Sequence, residues 1–182
     1  MSKITLVTGG SRSGKSSFAE SFFKNVDDVL YIATAIVTDV EMEDRIKKHI
    51  DSRNSKWTTF EGFFDLDKAI EKYDIENILL DCVTIMTTNL MFKEKIDFDN
   101  ISMEEVDDLF NDIKIQFEKL ILKAKETNKN LIMVTNEVGL GLVPESKLSR
   151  IFRDIAGYVN QFLASQSDEV YLVCCGLPLK LK

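Results

Sequence analysis

The chain has 182 residues, 45% hydrophobic and 29% charged, with 30 acidic and 23 basic side chains and a formal net charge of -7. That length fits one domain spanning residues 1–182, able to bury roughly 70% of the surface its unfolded form exposes. The acidic balance speaks against a broad nucleic-acid surface, which needs an excess of Lys and Arg to neutralise phosphates, and no apolar run approaches the ~20 residues of a membrane span.

Residues 3–8 (KITLVT) read as a first strand buried on both faces, entered directly and without the pattern of a secretory leader. Glycines follow, then a helical stretch over residues 15–24. Residues 29–34 (VLYIAT) form a second apolar strand. Over residues 39–52 the apolar side chains Met42, Ile46 and Ile50 recur at i, i+4 and i+8, the stripe of an amphipathic helix. A short strand is expected over 57–61, a helix over 65–72, and a buried strand ending on an acid over 78–82 (ILLDC). Residues 84–92 read as a helix and the polar stretch 93–101 as a mobile loop. Ser102 and Glu105 make a capping box that opens a long amphipathic helix to about residue 127. Residues 130–135 (NLIMVT) are another buried strand. A glycine-containing loop over 136–143 leads to Pro144, which suits the first turn of a helix running to about residue 165. Residues 169–174 close with a strand, and 177–181 add a short one. The three cysteines, Cys82, Cys174 and Cys175, lie in apolar strand-like segments without a Cys-x-x-Cys spacing. They read as buried thiols of a reducing cytoplasm.

Apolar strands alternating with helices imply an α/β fold, with a mostly parallel central sheet and helices on both faces. Ligands of such sheets bind beyond the carboxyl ends of the strands. The loops after Thr8, Thr34, Asp81 and Thr135 are therefore the candidate site.

The first of these carries the most specific signal. Gly9, Gly10, Ser11, Arg12, Ser13, Gly14, Lys15 and Ser16 fit the pattern G-x-x-x-x-G-K-[ST], between an expected strand and an expected helix. In a P-loop of this kind glycines let the backbone curl so that successive N–H groups face the phosphates, and the helix adds its positive end. Lys15 reaches the β- and γ-phosphates, and the Ser16 hydroxyl coordinates Mg²⁺. A second oxygen donor for that ion is expected at the end of a neighbouring strand. Asp81 is the first candidate and Glu137, after the next strand, the second.

The single histidine, His49, lies between Arg45 and Arg53 at four-residue spacing, with Glu41 one turn earlier. On a helix these four share a polar stripe. A lone histidine flanked by lysines is ordinarily a solvated surface group. Beside a nucleotide site it has another use, because neutral imidazole attacks phosphorus and forms a labile P–N bond that passes the group on. Arg45 and Arg53 would then bind phosphate oxygens and stabilise developing charge.

Together these features resemble the bifunctional adenosylcobinamide kinase / adenosylcobinamide-phosphate guanylyltransferase family of cobalamin biosynthesis. The resemblance is carried by Val7-Thr8 and the phosphate loop, by Tyr31-Ile32-Ala33-Thr34, by the Arg45, His49, Arg53 spacing and by Trp57-Thr58-Thr59. It continues through Leu80-Asp81-Cys82-Val83-Thr84, Thr88-Asn89-Leu90, the stretch from Val134-Thr135-Asn136-Glu137-Val138-Gly139 to Glu145, and Arg153-Asp154-Ile155-Ala156-Gly157-Tyr158-Val159-Asn160-Gln161. Asn54 stands where many members have proline. The resemblance implies a RecA-like P-loop NTPase fold, a homotrimer, and two reactions. ATP or GTP phosphorylates the aminopropanol hydroxyl of adenosylcobinamide, and GMP is then transferred from GTP through a guanylylated histidine, which falls on His49. It also implies a GTP site lined by the phosphate loop together with Ala33, Thr34, Ala35, Ile50, Asp51, Ser52, Arg53, Glu61 and Val83. Two other readings of the residues stand beside it: a single-function P-loop kinase for some other small hydroxyl compound, with His49 merely solvated, and a RecA-like module that couples nucleotide to a partner protein.

Overall fold

A computed structural model describes residues 2–36 and 54–182. The helix expected over 39–52, with Met42, Ile46 and Ile50, lies outside the described residues.

Seven strands are described: β1 (Ile4–Gly9), β2 (Val29–Ala33), β3 (Thr58–Glu61), β4 (Asn77–Asp81), β5 (Asn130–Val134), β6 (Glu169–Cys174) and β7 (Leu177–Lys180). They form one sheet in the order β3-β2-β4-β5-β1-β6-β7. All pairs are parallel except β6–β7, an antiparallel hairpin at one edge. The helices are α1 (Lys15–Ser21), α2 (Leu66–Lys72), α3 (Val83–Met91), α4 (Met103–Glu126) and α5 (Lys147–Gln166).

Alternation along the strands divides the core into two layers. One face carries Ile4, Leu6, Leu30, Ile32, Ile78, Leu80, Leu131 and Met133, covered by α2 to α5. The other carries Val7, Tyr31, Leu79, Ile132, Val134 and Val173, covered by Ala19 and Phe23 of the α1 region and by Trp57. The expected α/β fold, mostly parallel with helices on both faces, is the one observed. Phe117, Leu120 and Ile121 of α4 are buried at 0–2% exposure, and each large side chain so buried contributes about 1.5–3 kcal/mol. The capping box forms as read: Glu105 donates its backbone N–H to Ser102 Oγ at 3.2 Å, and Ser102 returns its N–H to Glu105 Oε2 at 2.8 Å.

Two local expectations are corrected. Pro144 is not in the first turn of α5. Ser146 is the N-cap, its Oγ accepting from Ser149 N–H at 3.1 Å, and the helix begins at Lys147. A side-chain acceptor at the cap outweighs a proline that merely tolerates helical φ. Cys174 and Cys175 are exposed, and only Cys82 is buried. The strand ends at Cys174 because the chain turns at Cys175 (φ 53°) and Gly176 (φ 78°), two consecutive left-handed residues of the kind that close a tight hairpin.

Glu169 ties β1, β6 and β7 together through Lys3 (2.9 Å) and Lys180 (2.7 Å). Hydrogen bonds from Lys180 and then Lys3 pull its carboxyl down from 4.5 to about 2. A lowered folded-state value means that the contribution is full above the unfolded value near 4.5 and is lost as pH falls toward 2. Glu169→Gln should therefore flatten the decline of the unfolding midpoint between those pH values, read by circular dichroism, and lower the midpoint near neutrality by about as much as the wild type loses through this group in acid.

Candidate active site

The phosphate loop runs from the carboxyl end of β1 into α1. Gly14 takes a left-handed φ of 92°, and Ser13 N–H closes a turn on the Gly10 carbonyl at 3.2 Å. The N-cap of α1 makes no side-chain hydrogen bond, and the first turn holds no acid. Its N–H groups and its positive end are thus left for an anion. Lys15 Nζ donates to the Gly10 carbonyl at 3.2 Å, which places the ammonium across the loop. Two buried hydroxyls beside it, Thr8 Oγ1 and Ser13 Oγ, have no partner among the described residues. Ser16 is half-buried at the second position of α1.

The loop is fixed from two sides. Glu137 N–H donates to the Gly9 carbonyl at 3.0 Å, and Gly176 N–H donates to the Ser13 carbonyl at 2.8 Å. Gly9 has no room for a side chain, since a Cβ there would lie 2.4 Å from the Val173 carbonyl oxygen and 2.6 Å from Ser13 Oγ.

The strands flanking the loop end level. Ala33 pairs with both Glu61 and Asp81, and Asp81 pairs with Val134. Asp81 is half-buried, and its Oδ2 accepts from the Tyr31 hydroxyl at 2.9 Å. Tyr31 in turn stacks on Trp57 with ring centres 6.4 Å apart, and the Trp57 indole donates to the Val26 carbonyl at 2.8 Å. The acid therefore sits at the end of a packed chain of aromatic contacts. Glu137 differs: its Oε1 accepts from the backbone N–H of Gly139 at 2.6 Å, inside its own loop. The hydroxyl of Ser16 and the carboxylate of Asp81 are hard oxygen donors, which suits Mg²⁺.

Thr34 is only 1% exposed. Its hydroxyl donates to the Cys82 carbonyl at 2.8 Å and accepts from Cys82 N–H at 2.9 Å, so it clamps the peptide that follows Asp81. That Asp81–Cys82 peptide is cis. The Thr34 carbonyl accepts from Asn89 Nδ2 at 2.7 Å, fastening α3 to the end of β2. Val83 is 1% exposed, backbone and side chain together, so it presents almost no surface to a ligand, whereas Glu61 is exposed. Burial, reinforced by the Asp81 charge, pushes the Cys82 thiol up to about 12 and keeps it neutral.

Beyond β5 lies a relay of hydroxyls and amides. Thr84 Oγ1 accepts from Asn136 N–H at 2.7 Å, which turns its own proton toward Thr135 Oγ1 at 3.3 Å. Thr135 donates to Asn160 Oδ1 at 2.7 Å, and Asn160 Nδ2 returns to the Asn136 carbonyl at 3.1 Å. Tyr31, Thr84, Asn89, Thr135 and Asn160 were given no role from the sequence. Their signal was membership of the stretches that carry the family resemblance, which does not say what each side chain touches. Arg45, His49, Ile50, Asp51, Ser52 and Arg53 lie outside the described residues.

A phosphate loop between the first strand and helix of a mostly parallel sheet, with an acid at the end of a nearby strand, defines a P-loop nucleotide-binding protein. The family profile described as cobinamide kinase / cobinamide phosphate guanyltransferase matches residues 5–181, and the chain belongs to that family. It is 44% identical to the bifunctional adenosylcobalamin biosynthesis proteins CobU of Escherichia coli (strain K12) and of Salmonella typhimurium (strain LT2), each alignment covering 98% of this chain and 99% of the relative. It is 35% identical to the bifunctional adenosylcobalamin biosynthesis protein CobP of Pseudomonas aeruginosa, over 97% of this chain and 96% of that protein.

Thr34→Val should orphan the Cys82 N–H, at about 1–3 kcal/mol for the unsatisfied group, while the Cys82 carbonyl keeps the Met86 N–H at 3.1 Å. Chemical denaturation measures that loss, and catalytic turnover should fall further than the stability change alone explains. Gly9→Ala should cost about 1–3 kcal/mol through overpacking and abolish detectable nucleotide binding in a calorimetric titration.

Proposed function

We propose that residues 1–182 act as one catalytic domain performing two successive transfers at one nucleotide site. In the first, the aminopropanol hydroxyl of adenosylcobinamide attacks the γ-phosphorus of ATP or GTP, giving the phosphate ester and the nucleoside diphosphate. In the second, His49 attacks the α-phosphorus of GTP and releases pyrophosphate. The ester phosphate of the first product then takes the GMP from the P–N bond and regenerates the imidazole, giving adenosylcobinamide-GDP. The observation that carries this reading is the complete phosphate loop at the head of α1, in a chain matched by the family over residues 5–181.

The assigned roles follow from the loop outward. Backbone N–H groups from Gly9 to Ser16 and the Lys15 ammonium hold the β- and γ-phosphates, which are the transferring end in the first step and the leaving group in the second. Ser16 and Asp81 hold Mg²⁺, with Glu137 as the lesser candidate; when bound, the ion neutralises charge on the phosphate oxygens. Tyr31 and Thr34 position Asp81. Arg45 and Arg53 flank His49 and meet the phosphate being transferred. Ala33, Thr34, Ala35, Glu61 and Val83, with Ile50, Asp51, Ser52 and Arg53, surround the nucleoside. The protein works in the cytoplasm as a homotrimer.

Incubation with α-labelled GTP and Mg²⁺, then denaturation, should leave acid-labile, base-stable label on the wild type and none on His49→Ala. The same variant should retain ATP-dependent phosphorylation of cobinamide. Label surviving in His49→Ala contradicts the covalent carrier. Lys15→Ala should lose both activities by at least about a hundredfold; retained guanylylation would mean two separate loops of binding.

A further inference from the structure

The helix α4 is longer than the sheet it covers. Its 24 residues run about 36 Å, against roughly 17 Å for the five-residue strands β4 and β5. The register is fixed at Gln116, whose Oε1 accepts the backbone N–H of Asp65, just past the carboxyl end of β3, at 3.1 Å. The first half of α4 therefore projects beyond the carboxyl edge of the sheet, the same edge that carries the phosphate loop. Between this overhang, the end of α3 and the 93–101 loop lies a cavity of about 660 Å³, within the range of small-molecule sites.

The cavity has a divided lining. Leu90, Ile96, Ile101 and Ile113 give it an apolar floor. Glu94, Asp108 and Asp112 stand on its wall, and none of the three makes an ion pair or hydrogen bond among the described residues. Asp108 and Asp112 are one turn apart on α4, a like-charge spacing that weakens a helix. Lys93, a cation of the same wall, is placed over the Phe64 ring, 3.4 Å from its centre. Gln116 also lines the cavity. It is only 8% exposed, yet its amide nitrogen has no partner among the described residues. Because Gln116 lines the cavity and this nitrogen is not among the enclosed polar atoms without a partner, it is open to a ligand's acceptor there.

We propose that this cavity seats one edge of the corrinoid acceptor. The inference rests on the reading of the chain as a cobinamide kinase. Cobinamide is a flat macrocycle with a methyl-rich surface, a fringe of primary amides and a net positive charge at its cobalt centre. Methyl groups suit the apolar floor, amide N–H groups suit the unpaired carboxylates, and an amide carbonyl suits Gln116. The positive charge suits an acidic wall. The cavity is smaller than the whole macrocycle, so it grips an edge and leaves the aminopropanol arm free. Leu90 lines the cavity, and its neighbour Asn89 is bonded to the Thr34 carbonyl beside Asp81. The arm's way to the phosphate loop therefore runs past α3.

The test is equilibrium binding of cobinamide, followed by its visible absorbance in dialysis, with steady-state kinase kinetics in parallel. The paired substitution Asp108→Asn with Asp112→Asn should raise the Kd and KM for cobinamide about tenfold and leave the KM for ATP unchanged. Leu109→Trp, which fills the cavity from α4, should abolish detectable cobinamide binding while ATP still binds. Wild-type cobinamide affinity in both variants overturns the proposal, as does an equal loss of ATP affinity, which would place the effect in the fold. A wild-type protein that never phosphorylates cobinamide is a different failure, that of the kinase reading itself.

Discussion

Gly9 sits in a slot that admits no side chain, with the Val173 carbonyl where a Cβ would be. This contact sets the height of the phosphate loop above the sheet. Two hydrogen bonds complete the clamp, one from the loop after β5 and one from the β6–β7 turn. The loop is therefore part of the sheet's carboxyl edge and not a flexible connection across it. Phosphate groups need several N–H donors aimed at one point, and preorganised donors avoid the reorganisation that a mobile loop would require.

The same edge organises the groups that surround the loop. Thr34 grips the N–H and the carbonyl of Cys82, while Tyr31, backed by Trp57, holds the Asp81 carboxylate. Thr84, Thr135 and Asn160 join α3, β5 and α5 in one chain of donors and acceptors. Each network crosses between elements far apart in sequence, so the site is assembled only when the whole sheet has formed. One face of the sheet supports the phosphate-loop helix, and the other supports the longer helices whose overhang walls a separate cavity. The two halves of the proposed chemistry, nucleotide and acceptor, thus draw on opposite layers of one sheet.

Much of this was legible because it is local. The apolar strands, the capping box at Ser102 and the loop from Gly9 to Ser16 each announce themselves within a few residues. The family resemblance, carried by longer stretches, is upheld by the whole-chain match. What was not legible depends on distant partners. Pro144 suited a helix start, but the competing cap at Ser146 decided the boundary. Cys174 and Cys175 looked like strand residues, and only the hairpin with β7 shows that they are exposed at a turn. The resemblance implies Thr34 in the nucleotide site, but no local pattern shows that its hydroxyl is engaged with the backbone of Cys82, 48 residues away. The cavity had no sequence signal, because it arises from the mismatch between the length of α4 and the length of the strands it covers.

The central claim is that one phosphate loop serves both nucleotides. Competition binding tests it most directly, with a labelled GTP analogue that carries a methylene between its α- and β-phosphates and so cannot transfer GMP. The account predicts one analogue bound per chain and complete displacement by ATP. Analogue that stays bound at saturating ATP would contradict it, because the two nucleotides would then occupy different sites.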